Sequence, residues 1–291
     1  MANNQDKYRL TPEQHEKIFQ TEMIPDLTMG LEAVTLPKAV MLGGQPGAGK
    51  SALQSLAELE LANEGGVLAI IGDELRDYHP LYRKLLKKDD KTAAFYTDRD
   101  SGQWVGKLID YTIKKHYHLI IEGTMRRFEV VQDTMKVLRE AGYYIDARVI
   151  AVNRLISLQG IYKRYEQMVE DNGYGRFTTF EAHDAGYYGM PKIIEQVEQL
   201  KLADRVSVYN RCSNTPIYEN FLGKEDCSVS SEVQTVEVQT VIENERSKAW
   251  SEEEKKCYIQ GWDQVIQKMK KRNATQTDFI IMQQYRNDDF N

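Results

Sequence analysis

Short apolar runs alternate with amphipathic segments along most of the chain. Runs without helical spacing predict buried strands at 38–42, 67–71, 118–121, 145–152 and 205–209. Apolar residues that recur every three or four positions predict helices at 51–63, 102–116, 128–141 and 155–170. Strands that are apolar on both faces and alternate with helices are typical of a parallel sheet covered on both sides. The predicted fold class is therefore α/β, a three-layer α/β/α arrangement with a mainly parallel sheet.

Both ends of the chain carry additional helix signals. Thr11, followed by Pro12 and Gln14, predicts a capped helix over 11–22. After residue 210 the alternation weakens, a polar stretch at 224–231 indicates a linker, and 233–241 is interpreted as an edge strand. Ser251 and Glu254 predict a second capping box. The helix that follows carries one apolar stripe: Tyr258, Trp262, Val265, Ile266 and Met269.

We therefore expect a main domain over 1–223 and a C-terminal extension over 224–291. Packing of the apolar stripe on the main domain is favoured over binding of a partner or a second copy. Residues 287–291 are expected to fray.

Composition and charge exclude several classes of protein. The 291 residues are 41% hydrophobic and 28% charged, as in ordinary globular proteins. A net charge of −6 argues against a nucleic-acid partner, although it leaves a local basic cleft open. No apolar run reaches membrane-spanning length, and residues 1–10 lack a secretory signal. The three cysteines show no CxxC spacing, so we expect a cytoplasmic protein without disulfides or a zinc cluster.

A phosphate-binding loop follows the first predicted strand. The motif G-x-x-x-x-G-K-[ST] is complete in Gly44, Gln45, Pro46, Gly47, Ala48, Gly49, Lys50 and Ser51. Glycines let backbone N–H groups surround phosphate, Lys50 can reach the β- and γ-phosphates, and the Ser51 hydroxyl can ligate Mg²⁺. The sequence thus predicts binding of ATP or GTP with Mg²⁺. The guanine-reading motif Asn-Lys-x-Asp does not occur, which argues against a GTPase switch.

Acidic residues follow the next two strands, at the edge where a parallel sheet binds ligands. Asp73 is placed to accept a proton from a substrate hydroxyl, although it could instead serve only as a helix N-cap. Glu122 could hold Mg²⁺ or its water, or bind substrate. Thr124 and Arg126 would then face the ligand, although Arg126 could also belong to a solvated helix start.

Two arginines bracket a glycine-bearing stretch further along the chain. Arg164 lies on a predicted helix, and Arg176 lies within Gly-Tyr-Gly-Arg-Phe-Thr. Such a pair suits a lid that clamps a transferring phosphate, while either arginine alone could form a surface ion pair. His183, beside Asp184, is interpreted as structural or substrate-lining, and no histidine has the spacing of a metal ligand.

Taken together, these residues resemble the zeta-toxin family of bacterial toxin–antitoxin systems. The resemblance covers about 38–210 and is carried by the phosphate loop, Gly72-Asp73 with His79-Pro80, Glu122-Gly-Thr with Arg126, Arg164, Arg176 and His183-Asp184. It implies a kinase-like fold and transfer of the ATP γ-phosphate to the sugar 3′-hydroxyl of UDP-N-acetylglucosamine, which blocks peptidoglycan synthesis. It also implies a small helical epsilon-type antitoxin that covers the nucleotide site.

The resemblance also implies a role for each matching residue. Lys50 and Ser51 would bind phosphate and Mg²⁺, with Glu122 as a second candidate for the metal. Asp73 would be the general base. Arg164 and Arg176 would stabilise charge from the lid. The substrate-side positions would be Asp73, His79, Glu122, Thr124 and Arg126.

Two features of the sequence keep other functions open. Met125-Arg126-Arg127 stands where the family often has Gly-Arg-Thr, and the family's acidic sugar contact has no clear match near Gly102, with Asp98 and Asp100 just before it. Other UDP-sugars are therefore open as substrates. The alternatives are another small-molecule or polynucleotide kinase on the same fold, or a non-catalytic nucleotide-binding regulator.

Overall fold

The predicted strands assemble into one twisted sheet. The computed structural model describes residues 5–223 and 236–287. Its strands are Lys38–Gly43 (β1), Val67–Ile71 (β2), His118–Glu122 (β3), Tyr144–Ile150 (β4), Arg205–Tyr209 (β5) and Tyr218–Phe221 (β6). The order across the sheet is β2-β3-β1-β4-β5-β6, with β1 to β5 parallel and β6 antiparallel to β5. The prediction of a mainly parallel α/β fold is confirmed.

Helices cover both faces of this sheet. They are Pro12–Ile18 (α1), Ile24–Leu27 (α2), Lys50–Leu61 (α3), Tyr82–Lys88 (α4), Ala93–Lys115 (α5), Phe128–Glu140 (α6), Arg154–Asn172 (α7), Phe180–Gln199 (α8), Val238–Arg246 (α9), Glu252–Lys271 (α10) and Gln276–Asn287 (α11). A π-helical turn at Phe19–Met23 joins α1 to α2, and a 3₁₀ turn at Glu74–Tyr78 follows β2. Within the described ranges, no helix combines the length and apolar character that crossing a bilayer requires.

Successive side chains along each strand point to opposite faces of the sheet, so the core forms two layers. Met41 and Leu119 pack in a layer with Trp104 of α5, whereas Leu42 and Ile120 pack with Leu53 of α3 in the other. Burial of apolar surface on both faces holds the strand ends in fixed register. The loops that follow β1, β2 and β3 therefore meet along one edge of the sheet.

Several assignments differ from the sequence-based expectations. Helix α5 begins at Ala93 rather than near 102. The buried residues of its first turns include the polar Thr97 and Asp100, so the sequence there lacks the apolar spacing that predicts a helix. Residues 238–241 form the start of α9, not an edge strand, since Val238 and Ile242 are buried at helical spacing. Strand β6 has no counterpart among the predictions because its centre is polar.

The C-terminal extension packs against α7. The stripe on α10 forms an apolar cluster in which Trp262 contacts Tyr162 of α7 and Met282 of α11 is also buried. The two capping boxes, at Thr11 and Ser251, form as predicted. The expected linker and part of the expected frayed end lie outside the described residues, so the division at residue 223 stays a prediction.

Candidate active site

The phosphate loop connects β1 to α3 and lies against α7. Gly47 and Gly49 have φ angles of 77° and 98°, which favour glycine over any residue with a Cβ atom. A methyl group at Gly47 would overlap the carbonyl oxygen of Ser157, and one at Gly160 would lie 2.5 Å from the Gly47 oxygen. The two backbones are therefore in direct contact. Ser51 lies exposed in the first turn of α3, where the helix N-terminus favours anions.

Lys50 is buried at the base of this loop. Its Nζ donates to the carbonyl oxygen of Gly44 at 3.0 Å and lies 3.5 Å from Oε1 of Glu122. Burial lowers the pKa of Lys50, and the Glu122 carboxylate counteracts part of this effect. The structure thus brings together a cation from the loop and the acid at the end of β3.

Asp73 follows β2 and lies among guanidinium groups. Its carboxylate oxygens are 3.3 Å from Nε of Arg76 and 3.7 Å from Nε of Arg176. Burial raises the pKa of Asp73, but attraction from Arg176, Arg76 and Arg164 outweighs burial, so the pKa lies below its usual value. Asp73 occupies the N-cap position of the 3₁₀ turn without a side-chain capping bond, and 47% of its side chain is exposed. A role as helix N-cap alone therefore does not explain why a carboxylate stands at position 73.

Arg164 and Arg176 both lie near enough to Asp73 to attract its carboxylate. Arg164 donates to the Thr178 hydroxyl at 3.0 Å. Burial lowers the pKa of Arg164, and repulsion from Arg176 lowers it further. Among the described residues, Nε of each of these arginines is buried without a hydrogen-bond partner. An anion such as a transferring phosphoryl group would supply the missing acceptors.

The remaining predicted ligand residues divide into two groups. Thr124 is half-buried against Gly186 of α8, and Arg126 is exposed beside Gly189. His79, in contrast, is 1% exposed, with its Nε2 atom 3.2 Å from the Tyr8 carbonyl oxygen and 3.5 Å from Asp100. Both ring nitrogens are occupied by the protein, since Nδ1 accepts from the Leu81 amide. In this structure the contacts of His79 join the N-terminal segment to the loop after β2, and its assignment to substrate binding stays a prediction.

The side chain of Gln45 points away from the predicted phosphate position. The side chain is fully buried and donates to the Val152 carbonyl oxygen and the Ser157 hydroxyl. Only the Gln45 backbone is left to face a phosphate. His183, read as structural or substrate-lining, is structural here, because its ring bonds to Ser157 and Asp184.

Arg76 is a site residue that the sequence reasoning missed. Its guanidinium is 7% exposed and bonds to Asp98 at 2.8 Å, to the Ala94 carbonyl oxygen and to Asp73. The one available signal was its position three residues after Asp73, which a helical turn brings onto the same face. Asp98 thus pairs with Arg76, although its own side chain is exposed.

The donors fit Mg²⁺ bound together with a nucleotide. No cluster of three or more potential His, Cys, Asp or Glu ligands occurs in 5–223 or 236–287. Mg²⁺ does not require one, since it retains waters and binds one or two protein oxygens plus substrate phosphates. The exposed Ser51 hydroxyl and the half-buried Glu122 carboxylate beside Lys50 provide such oxygens.

Comparison with known proteins matches this arrangement to one family. The zeta toxin family model matches residues 27–222. Toxin zeta of Enterococcus hirae is 32% identical over 192 residues, which cover 66% of each chain. Toxin PezT of Streptococcus pneumoniae serotype 4 is 28% identical over 236 residues, 81% of this chain and 88% of PezT.

Solved structures extend the match to the fold. A structure from the PezAT chromosomal toxin–antitoxin system of Streptococcus pneumoniae superposes with a TM-score of 0.75 at 24% identity, covering 89% of this chain and 99% of the other. An AvrRxo1-ORF1:-ORF2 complex superposes with a TM-score of 0.52 at 10% identity, covering 86% and 78%. These likenesses show a shared fold.

Proposed function

The chain belongs to the zeta toxin family, and from that premise we propose that it is the toxin of a toxin–antitoxin pair and acts as a kinase. The proposed reaction transfers the γ-phosphate of ATP to the sugar 3′-hydroxyl of UDP-N-acetylglucosamine or a related UDP-sugar. The observation that carries the proposal is Asp73, an ionised carboxylate between guanidinium groups at the edge of the sheet that holds the phosphate loop.

Asp73 supplies the group that the attacking hydroxyl needs. A sugar hydroxyl has a very high pKa, so a positioned acceptor for its proton accelerates its attack. Phosphoryl transfer has a loose transition state, and the acceptor therefore acts chiefly by orienting the hydroxyl in line. Because nearby arginines lower its pKa, Asp73 carries its negative charge at neutral pH.

The cations around Asp73 stabilise the phosphoryl group. Lys50 lies at the base of the loop, where it would neutralise the β- and γ-phosphates, and Arg164 and Arg176 add positive charge near Asp73. The guanidinium groups of both arginines, whose Nε atoms make no hydrogen bond to a described residue, suit the equatorial oxygens of the transferred group. Mg²⁺, held through Ser51 and Glu122 with the nucleotide, would neutralise charge that develops on the β- and γ-phosphates.

A protein partner is part of the proposal. The structural neighbours include a toxin–antitoxin system and a two-protein complex. We infer that a small helical antitoxin of the epsilon type covers the nucleotide site of this chain, which would keep the kinase inactive in the complex.

One assay separates the candidate functions. The protein is incubated with Mg²⁺, γ-labelled ATP or GTP, a panel of UDP-sugars and a 5′-hydroxyl oligonucleotide, with Asp73→Asn as the matched control. Label on a sugar that depends on Asp73 supports the proposal. Label on the oligonucleotide would indicate a polynucleotide kinase, and bound nucleotide without transfer would indicate a regulator.

A growth experiment tests the cellular consequence. Expression in a growing bacterium should cause arrest or lysis with loss of peptidoglycan precursors, and Asp73→Asn should relieve it. Equal toxicity from Asp73→Asn protein at the same level would show that the harm does not come from phosphate transfer.

A further inference from the structure

The last residue of α9 reaches the phosphate loop from the C-terminal extension. Arg246 lies outside residues 27–222, the range that the family model matches. Its side chain is 5% exposed, its Nη2 donates to Oε1 of Gln45 at 3.0 Å, and its Nη1 donates to the Tyr187 carbonyl oxygen at 2.7 Å. The guanidinium carbon lies 4.1 Å from the centre of the Tyr187 ring. Within the described ranges, no carboxylate forms an ion pair with Arg246.

Gln45, a residue of the phosphate loop, links Arg246 to Val152 and Ser157. Its amide nitrogen donates to the Val152 carbonyl oxygen at 2.9 Å and to the Ser157 hydroxyl at 3.2 Å, so its amide oxygen must face Arg246. The nitrogen and the oxygen of this fully buried side-chain amide therefore both have hydrogen-bond partners. Removal of the Arg246 donor leaves that oxygen buried without a donor, and the amide can then rotate or take water into the loop.

The backbone of Arg246 also contacts the start of α7. Its carbonyl oxygen accepts from the side-chain nitrogen of Asn153 at 3.0 Å. The Asn153 oxygen in turn caps α7 by accepting from the Leu155 amide at 2.9 Å. One residue thus contacts both the loop that binds phosphate and the cap of the helix that carries Arg164.

Burial of the Arg246 guanidinium without a paired carboxylate among the described residues has an unfavourable desolvation free energy. Burial lowers the pKa of Arg246 to about 10, so the side chain remains charged at neutral pH while losing most of its hydration. Its hydrogen bonds and the Tyr187 ring provide the compensation. An apolar side chain would avoid the desolvation cost, but it has no N–H group to donate to Gln45 and Tyr187.

We propose that Arg246 is a positioning residue for nucleotide binding and acts through Gln45 to fix the conformation of the phosphate loop. The inference rests on the proposed function in one respect, that this loop binds nucleotide. It does not depend on the identity of the acceptor substrate. The C-terminal extension, by this account, contributes to the nucleotide site of the main domain.

The test compares Arg246→Met with Lys248→Met, an exposed cation two residues along the chain. Dissociation constants for MgATP, and for MgGTP, are measured by calorimetry on the full chain well below the melting temperature. We expect Arg246→Met to weaken nucleotide binding by at least ~10-fold, since loss of positioning at an active site has effects of this order. Lys248→Met should bind as wild type does.

Steady-state kinetics separate positioning from simple destabilisation. The KM for nucleotide should rise in Arg246→Met while the KM for the acceptor stays constant. A loss of folded protein would lower the apparent kcat and leave both KM values unchanged. Arg246→Lys, which retains the charge but lacks the forked donors, should show an intermediate affinity and provides the measurement if Arg246→Met does not fold.

A double-mutant cycle with Gln45→Ala tests whether Arg246 acts on the phosphate loop through Gln45. If Arg246 acts through Gln45, Arg246→Met should weaken nucleotide binding much less in the Gln45→Ala background than in wild type. Undiminished affinity in both Arg246 variants, or full additivity with Gln45→Ala, would overturn the inference while leaving the kinase proposal intact. Absence of nucleotide binding in the wild-type chain would overturn both.

Discussion

Four cationic side chains gather around Asp73 and Glu122 at the edge of the sheet: Lys50, Arg76, Arg164 and Arg176. The arginines hold Asp73 in its ionised state. Cations that are fixed in this position stabilise the charge of phosphates that enter the crevice. Each charged residue therefore has a separable effect, on binding or on transfer.

Asp73→Asn should separate the two effects most clearly. The amide retains the shape of the carboxylate but loses its charge and basicity, so we expect nearly normal ATP binding and transfer at least ~10²-fold slower. Asp77→Asn, an exposed acid in the same turn, is the control for changes in surface charge. Single-turnover rates with bound ATP provide the measurement. Full activity of folded Asp73→Asn protein would move the base assignment to Glu74 or Glu122.

Lys50→Ala should abolish measurable transfer while the fold remains intact. The Lys50 ammonium donates to the Gly44 carbonyl oxygen and neutralises the transferring group, and loss of one such donor typically costs ~10²-fold or more in rate. The melting temperature shows whether the variant folds, and a transfer assay shows its activity. Normal kinase activity in a folded variant would refute the assignment of the nucleotide site.

Helices α7 and α10 form the largest contact between the main domain and the C-terminal extension. Trp262 is fully buried and lies 5.6 Å from the Tyr162 ring, measured between centroids. Arg272 binds the buried Glu166 carboxylate through two hydrogen bonds of 2.7 Å. Because α7 also carries Arg164, the extension supports the helix that presents a lid residue.

Trp262→Ala should destabilise the whole protein. Truncation of a buried tryptophan typically costs about 3–5 kcal/mol, so the melting temperature should fall by several degrees, and transfer should slow because α7 loses its support. Ile280→Ala, which truncates a side chain that is 53% exposed in the same extension, should have little effect. An unchanged melting temperature combined with loss of self-association or partner binding would favour the interface interpretation of the stripe.

Sequence patterns predicted the elements whose residues act locally. Strand runs, capping boxes and the phosphate loop depend on neighbours in the chain, and the sheet confirms its predicted strands. The contacts of Arg246 and His79 depend on residues far apart in sequence, such as Arg246 and Gln45. A single sequence holds no signal for such pairings. The helix at 238–246 was missed because its repeated valines match strand and helix spacing equally poorly.

Buried histidines link the stability of the whole molecule to pH. Nδ1 of His118 accepts from the Lys38 amide, and Nδ1 of His15 lies 3.0 Å from the Lys107 ammonium. Burial is the largest cause that lowers the pKa of His15, His118 and His183 below the ordinary value. Below pH ~6.5 these histidines therefore bind more protons in the unfolded chain than in the folded chain.

The melting temperature should consequently fall as the pH decreases from about 7.5 through 6.5 and down through the lowered pKa values of these histidines. His118→Asn should reduce this pH dependence, because one of the groups is removed. The matched control is His116→Asn, since His116 is exposed and asparagine tolerates its left-handed backbone. An equal pH dependence in wild type and His118→Asn would show that this histidine does not contribute.

The contact between Gly47 and Gly160 sets how closely α7 approaches the phosphate loop, because the two backbones already touch there. At 1.5 Å per residue, Arg164 lies about 6 Å further along the helix. The segment that carries Arg176 folds back to the same level of α7, since the Thr178 hydroxyl accepts from Arg164 at 3.0 Å. Both arginines are therefore held at one height above the loop, and a shift of α7 would displace them together.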